Sequence, residues 1–220
     1  MIKIVVFDFD DTLVKSEHIK QSGFSEIFTP IAGAKEIAQD FAGKHYGKPR
    51  HEMIKGIIAR LQDERIVNWR DAESKTKQYV NAFREYTEQE VVRAEVVPSV
   101  VQILKHLSDN YILYLNSATP QESILKIIKA RKWNHFFKAV YGSPPGTKAE
   151  HLSKIIKDEK ANPGEVVVIG DGMSDLKAAK ECGCQFIGMR GEFSDFSLKE
   201  DVVVVNDLAD IIKLILHNKH

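Results

Sequence analysis

Six short apolar runs constrain the fold of this chain more than any other feature: Ile2–Phe9, Tyr111–Ser117, Lys138–Gly142, Glu165–Asp171, Gln185–Met189 and Val202–Val205. They are rich in Val and Ile and lack clean alternation with polar residues, the pattern of parallel strands covered on both faces. Helical patterns fill the intervals. Ser99, Thr119 and Thr147 each stand three residues before a Glu or Gln, which predicts three helix starts closed by capping boxes. Pro120 suits a first helical position, and Gly183 suits the stop after a helix over Ser174–Cys182. Strands alternating with helices in this way predict an α/β fold, a doubly wound, Rossmann-like parallel sheet.

Residues 15–96 break that rhythm. They carry no convincing strand but several helical stretches, punctuated by Gly43, Gly47 and Pro49. Trp69, Ala72, Tyr79, Phe83 and Tyr86 recur at helical spacing, a stripe best explained as core between helices. The expectation is an inserted all-helical cap over 15–96, interrupting a core made of 1–14 and 97–220. Placed directly after the first strand, such an insert is expected to act as a lid over the sheet's carboxyl edge.

Charge and composition exclude several classes. Lys plus Arg and Asp plus Glu both number 31, so there is no basic excess of the kind nucleic-acid binding uses. No apolar run approaches the roughly 20 residues a membrane span needs. The N-terminus shows no basic region followed by a cleavable apolar stretch. Two cysteines make no disulfide framework, which favours a reducing, cytoplasmic setting. Monomer and dimer stay equally open.

In open α/β sheets, ligands sit beyond the carboxyl ends of the strands. The first strand ends in Asp8-Phe-Asp10-Asp-Thr12 and the second in Asn116-Ser117. Gly142 to Lys148 follows the third, and the fourth ends in Gly170-Asp171-Gly-Met-Ser-Asp175. A carboxylate such as Asp8, closing a buried apolar run, needs a cation or strong hydrogen bonds. Asp11 has a local turn or capping role. Several carboxylates on one edge repel by roughly 4 kcal/mol per close pair at intermediate dielectric, so the set calls for a bound cation. An all-oxygen donor set selects a hard ion such as Mg²⁺, which also binds phosphate. A lysine and helix-start N–H groups then become useful to a phosphoryl group. These residues point to metal-assisted phosphoryl chemistry. Lys148 is best placed by order, with Lys138, Lys154 and Lys157 as substitutes.

The series DFDDTL, NSATP, GTKAE and GDGMSD resembles the four motifs of the haloacid dehalogenase-like (HAD) hydrolase superfamily. The helical insert resembles the cap of its first subclass, which includes phosphoglycolate phosphatase-like and beta-phosphoglucomutase-like enzymes. The resemblance implies a phosphatase acting on a small phosphorylated metabolite. Asp8 would be the nucleophile that forms an aspartyl-phosphate, and Asp10 the general acid and base. Ser117 would hold phosphoryl oxygens and Lys148 would neutralise charge. Asp8, the Asp10 backbone carbonyl, Asp171 and Asp175 would hold Mg²⁺. Thr12 would orient the first loop, and it stands with Asn116 and Arg50 among the substrate-binding candidates. Arg50 comes from the basic stretch 43–51, where its fork suits a carboxylate or phosphate. One departure is that Lys148 follows Pro-Pro-Gly-Thr and precedes Ala, where many relatives have Lys-Pro. The same core would serve a phosphomutase, whereas Asp10 argues against a dehalogenase. A non-catalytic member would have lost Asp8 or a metal-binding acid, and both are present.

Overall fold

The structure, a computed structural model, describes residues 1–45, 47–191 and 202–217. Tyr46, within the basic stretch of the insert, lies outside the described residues. The chain divides into two compact units, one formed by residues 1–15 and 94–220 and the other by 16–93.

The first unit is built on a six-stranded parallel sheet in the order β3-β2-β1-β4-β5-β6. The strands are β1 (Ile4–Phe7), β2 (Ile112–Ser117), β3 (Ala139–Gly142), β4 (Val166–Gly170), β5 (Gln185–Met189) and β6 (Val203–Val205). The apolar runs become strands because both of their faces find cover. Every residue of β1 and β4 is buried. Ile4, Val6, Tyr114, Val166 and Val168 pack on one face with Leu152, Ile155 and Ala179. Those last three come from α7 (Lys148–Asp158) and α8 (Met173–Cys182). The intervening residues Val5, Phe7, Leu113, Leu115, Val167 and Ile169 are buried on the other face. Fully burying one such side chain contributes about 1.5–3 kcal/mol.

Register places the site. Phe7 pairs with Leu115 on one side and Ile169 on the other, so the next residues of all three strands emerge at one edge. The Asp8 N–H extends the ladder to the Ile169 carbonyl at 2.8 Å. The strand order reverses direction around β1, and that switch point is where such sheets open a crevice.

Two helix starts differ from expectation. Ser99 precedes α5 (Val100–Ser108) in the left-handed region, φ +62°, with no side-chain cap. Thr119 does not cap α6 (Gln121–Ala130), where Pro120 takes the N-cap place. The Thr119 hydroxyl has a stronger acceptor elsewhere, the carboxylate of Asp10. The Thr147 capping box at α7 forms in full, with Glu150 reaching back to the Thr147 N–H. Gly183 ends α8 in the left-handed conformation, φ +71°.

The second unit consists of α1 (Glu17–Glu26), α2 (Ala34–Lys44), α3 (Arg50–Asp63) and α4 (Ala72–Arg93). Its core gathers Phe28, Ala34, Ala38, Met53, Ile54, Ile57, Ile58, Leu61 and Phe83. Much of the aromatic stripe is core. Phe24 stacks on Phe83 at 4.4 Å and Phe28 on Tyr79 at 4.3 Å, while Trp69 packs alongside. Ala72 is the exception and is exposed. The chain leaves the first unit at Lys15 and re-enters at Ala94, and the two passes pair through Val14 and Val96. No helix among the described residues is long and apolar enough to cross a membrane.

Candidate active site

Three strand ends and one helix start deliver the chemistry. Asp8 follows β1 directly, Ser117 ends β2, Asp171 follows β4, and Lys148 opens α7. Asp175 lies in the first turn of α8. Gly170 makes room for it, since a Cβ at that position would stand 2.4 Å from the Asp175 carboxyl carbon.

The Lys148 ammonium is the hub. It donates to Asp8 Oδ1 and to Asp175 Oδ1, each at 2.7 Å. All three side chains are at most one-tenth exposed, so the pairs sit in a low-dielectric setting where they are strong but costly to break. Two of the other lysines considered are engaged elsewhere, Lys154 with Asp158 and Lys138 with Glu159. Lys148 is therefore the lysine that faces these carboxylates.

Asp8, Asp171 and Asp175 bring carboxylate oxygens within 4.8 Å of one another. One ammonium cannot balance three carboxylates. Burial pushes the Asp8 carboxyl up to about 7, with Asp175 and Asp10 adding to the rise and Lys148 opposing it. Burial pushes Asp171 up to about 8, helped by Asp8, Asp175 and Asp11. Asp175 is raised by burial as well, against the pull of Lys148. Burial acts to lower the Lys148 ammonium, but Asp8 and Asp175 together outweigh it and hold the proton. Asp175 Oδ2 is buried with no hydrogen-bond partner. An orphaned buried oxygen beside two further carboxylates fits a hard divalent cation, so the donor set suits Mg²⁺.

Asp10 does not belong to that trio. Its Oδ2 accepts from the Thr119 hydroxyl at 2.9 Å and lies 3.4 Å from Ser117 Oγ. Ser117 Oγ accepts in turn from the Thr119 N–H at 3.0 Å. Asp11 carries the turn after β1 in the left-handed region, φ +50°, and its N–H reaches the Val14 carbonyl. Thr12 is fully buried with its hydroxyl unpartnered. The Asn116 carboxamide is committed at both ends, donating to the Lys148 carbonyl at 2.9 Å and facing His151 Nδ1 at 3.0 Å. Arg50 belongs to the helical unit, where its guanidinium lies 5.0 Å from the Phe83 ring centre.

Sequence reasoning missed two members of this constellation. Thr119 read as a cap and instead braces Asp10. His151 is one of eight histidines in the chain and stands one helical turn beyond Thr147 and Lys148. That spacing, which puts it on their side of α7, was the available signal.

Comparison with known proteins agrees with this geometry. Phosphoglycolate phosphatase of Synechococcus elongatus is 23% identical over 201 residues, covering 88% of this chain and 86% of that protein. Phosphoglycolate phosphatase of Pseudomonas putida is 24% identical over 223 residues, covering 96% and 78%. A crystal structure of a Haemophilus somnus protein, assigned by prediction as a phosphoglycolate phosphatase, superposes with a TM-score of 0.76 at 19% identity, covering 97% and 98%. Residues 5–189 match the haloacid dehalogenase-like hydrolase family. That match runs from inside β1 to the last residue of β5 and takes in every strand end described above, so the chain belongs to the haloacid dehalogenase-like hydrolase family.

Proposed function

We propose that the chain is a Mg²⁺-dependent phosphatase of a small phosphorylated metabolite, with a phosphorylated hydroxy acid of the phosphoglycolate kind as the first candidate. The observation that carries this reading is Lys148 bridging Asp8 and Asp175 beside Asp171, at the edge where Ser117 and Asp10 also stand. The names of both curated relatives support the substrate class.

In this reading an oxygen of Asp8 attacks phosphorus, the bond to the leaving oxygen breaks, and an aspartyl-phosphate forms. Asp10 gives its proton to the leaving oxygen, then takes one from the water that attacks the aspartyl-phosphate. Inorganic phosphate leaves and Asp8 is restored. Thr119 holds the Asp10 carboxyl in place through the 2.9 Å bond. Ser117 presents its hydroxyl to phosphoryl oxygens, and Lys148 offsets the repulsion between Asp8 and an anionic substrate. Asp8, Asp171, Asp175 and the backbone carbonyl of Asp10 would hold Mg²⁺, which supplies charge neutralisation to the phosphoryl group when bound.

The test is phosphate release from a panel of phosphorylated metabolites, with and without Mg²⁺. Asp8→Asn and Asp10→Asn run in parallel. The expected outcome is release that requires both Mg²⁺ and Asp8. Asp10→Asn is expected to lose most turnover and keep Mg²⁺ binding. Full activity of Asp8→Asn, or release indifferent to Mg²⁺, overturns the reading. Phosphorylation of Asp8 without free phosphate would move the assignment to a mutase.

A further inference from the structure

We propose that His151 is a positioning residue, tying the loop before Lys148 to the end of the strand that carries Ser117 and so setting where the Lys148 ammonium stands. This inference rests on the phosphatase reading for its effect on turnover, though the clamp itself does not.

His151 is buried, and both of its ring nitrogens meet oxygen acceptors. Nε2 lies 2.8 Å from the Pro145 carbonyl, and Nδ1 lies 3.0 Å from Asn116 Oδ1. The orientation of Asn116 follows from its other end, since Nδ2 donates to the Lys148 carbonyl at 2.9 Å. Both partners are acceptors, so the ring N–H donates to one of them while the ring bridges the loop and β2. Tyr141 stacks on the ring at 5.1 Å and fixes its plane. Gly146 leaves the space the ring needs. Its φ is +79°, and a Cβ there would stand 2.7 Å from Nε2 and 3.4 Å from Glu150 Oε2.

Three backbone points are thereby joined. The Pro145 carbonyl is in the loop, the Lys148 carbonyl is in the first turn of α7, and Asn116 precedes Ser117 on β2. The His151 N–H also closes the first helical turn onto the Thr147 carbonyl at 3.0 Å. The loop from Ser143 to Thr147 has no sheet ladder of its own among the described residues. Backbone bonds tie its start to the segment after β2, Ser143 N–H to the Thr119 carbonyl and Gln121 N–H to the Pro144 carbonyl, each at 3.1 Å, while the His151 ring joins its later part to β2 itself. With Lys148 Nζ at 2.7 Å from two carboxylates, a displacement of about an ångström is enough to break that geometry and slow the reaction strongly.

The experiment has two arms. Nitrogen-15 NMR of the folded wild-type protein reads the clamp without any substrate. The expected result is exchange-protected Asn116 amide protons that lose protection in His151→Phe. Phe keeps the volume and the stacking on Tyr141 while removing both ring nitrogens. Asn116 amide protons with unchanged protection in His151→Phe overturn the clamp.

The second arm measures kinetics on folded protein, normalised by thermal unfolding. His151→Phe is expected to lower kcat by about tenfold or more, with KM within a few-fold of wild type. Asn116→Ala, which keeps the histidine, gives a second route should His151→Phe fold poorly. The double variant is expected to lose no more than the worse single variant, because both act through one clamp. Unchanged kcat in both single variants, or losses that multiply, overturns the positioning role. Should wild-type protein release no phosphate from any compound, the phosphatase reading fails by itself and the NMR arm still decides the clamp.

Discussion

At the scale of single residues, one ammonium among buried carboxylates explains most of what the site can do. Lys148 balances Asp8 and Asp175 at 2.7 Å each, and removing it leaves both carboxyls buried without their cation. Breaking a buried pair in this way costs about 3 kcal/mol or more. Lys148→Met is expected to abolish phosphate release and to destabilise the fold by that amount at pH 8. The loss shrinks toward pH 5, because Asp8 and Asp175, already raised by burial, take up protons once the lysine is gone. Denaturant unfolding at the two pH values checks this, and an equal loss at both would show that Lys148 acts chiefly through packing. The carboxylates at the strand ends, and the lysine that follows the third strand, were legible in the sequence. Thr119 and His151 were not, because their partners lie 109 and 35 residues away and only the fold brings them together.

At the scale of elements, the helix starts show where local rules win and where a distant partner overrides them. Thr147 keeps its capping box because Glu150 is its natural local partner and no stronger acceptor competes for the hydroxyl. Thr119 occupies an equally good position by sequence, but the buried Asp10 carboxylate draws its hydroxyl away. Thr147→Ala is therefore expected to destabilise the protein by about 1 kcal/mol, the usual value of an N-cap. Thr119→Ala removes no cap. Its effect should appear in turnover through Asp10, with little change in the unfolding midpoint. Chemical denaturation of the two variants side by side separates these cases.

At the scale of the whole molecule, the acidic trio links global stability to pH and to metal. The folded, metal-free protein holds protons on Asp8 and Asp171 up to about pH 7 and 8, whereas the unfolded chain releases them near pH 4. Groups raised in the folded state contribute stability that is complete at low pH and is lost as pH rises through their folded values. This contribution falls between about pH 4, where the unfolded chain ionises, and about pH 8, where the folded carboxyls have ionised as well. On the proposed function, Mg²⁺ is expected to bind the ionised carboxylates and offset the loss. Thermal unfolding with and without Mg²⁺ is expected to show an upward shift of several degrees at pH 8.5 and almost none at pH 5.5. A shift of the same size at both pH values would place the metal away from Asp8 and Asp171.

The α/β class, the parallel sheet, the helical character of the insert and the four motifs are all legible in the order of the residues. Each is written in local periodicity or in residues adjacent along the chain, such as the Val- and Ile-rich runs and the DFDDTL series. The fold was needed to show that Lys148 bridges Asp8 and Asp175, what Thr119 and Asn116 bond to, and that His151 joins the loop before Lys148 to β2. Those choices depend on strand register and on competition among hydrogen-bond partners far apart in sequence. A spacing rule sees neither, whereas the pairing of Phe7 with Leu115 and Ile169 settles both at one edge of the sheet.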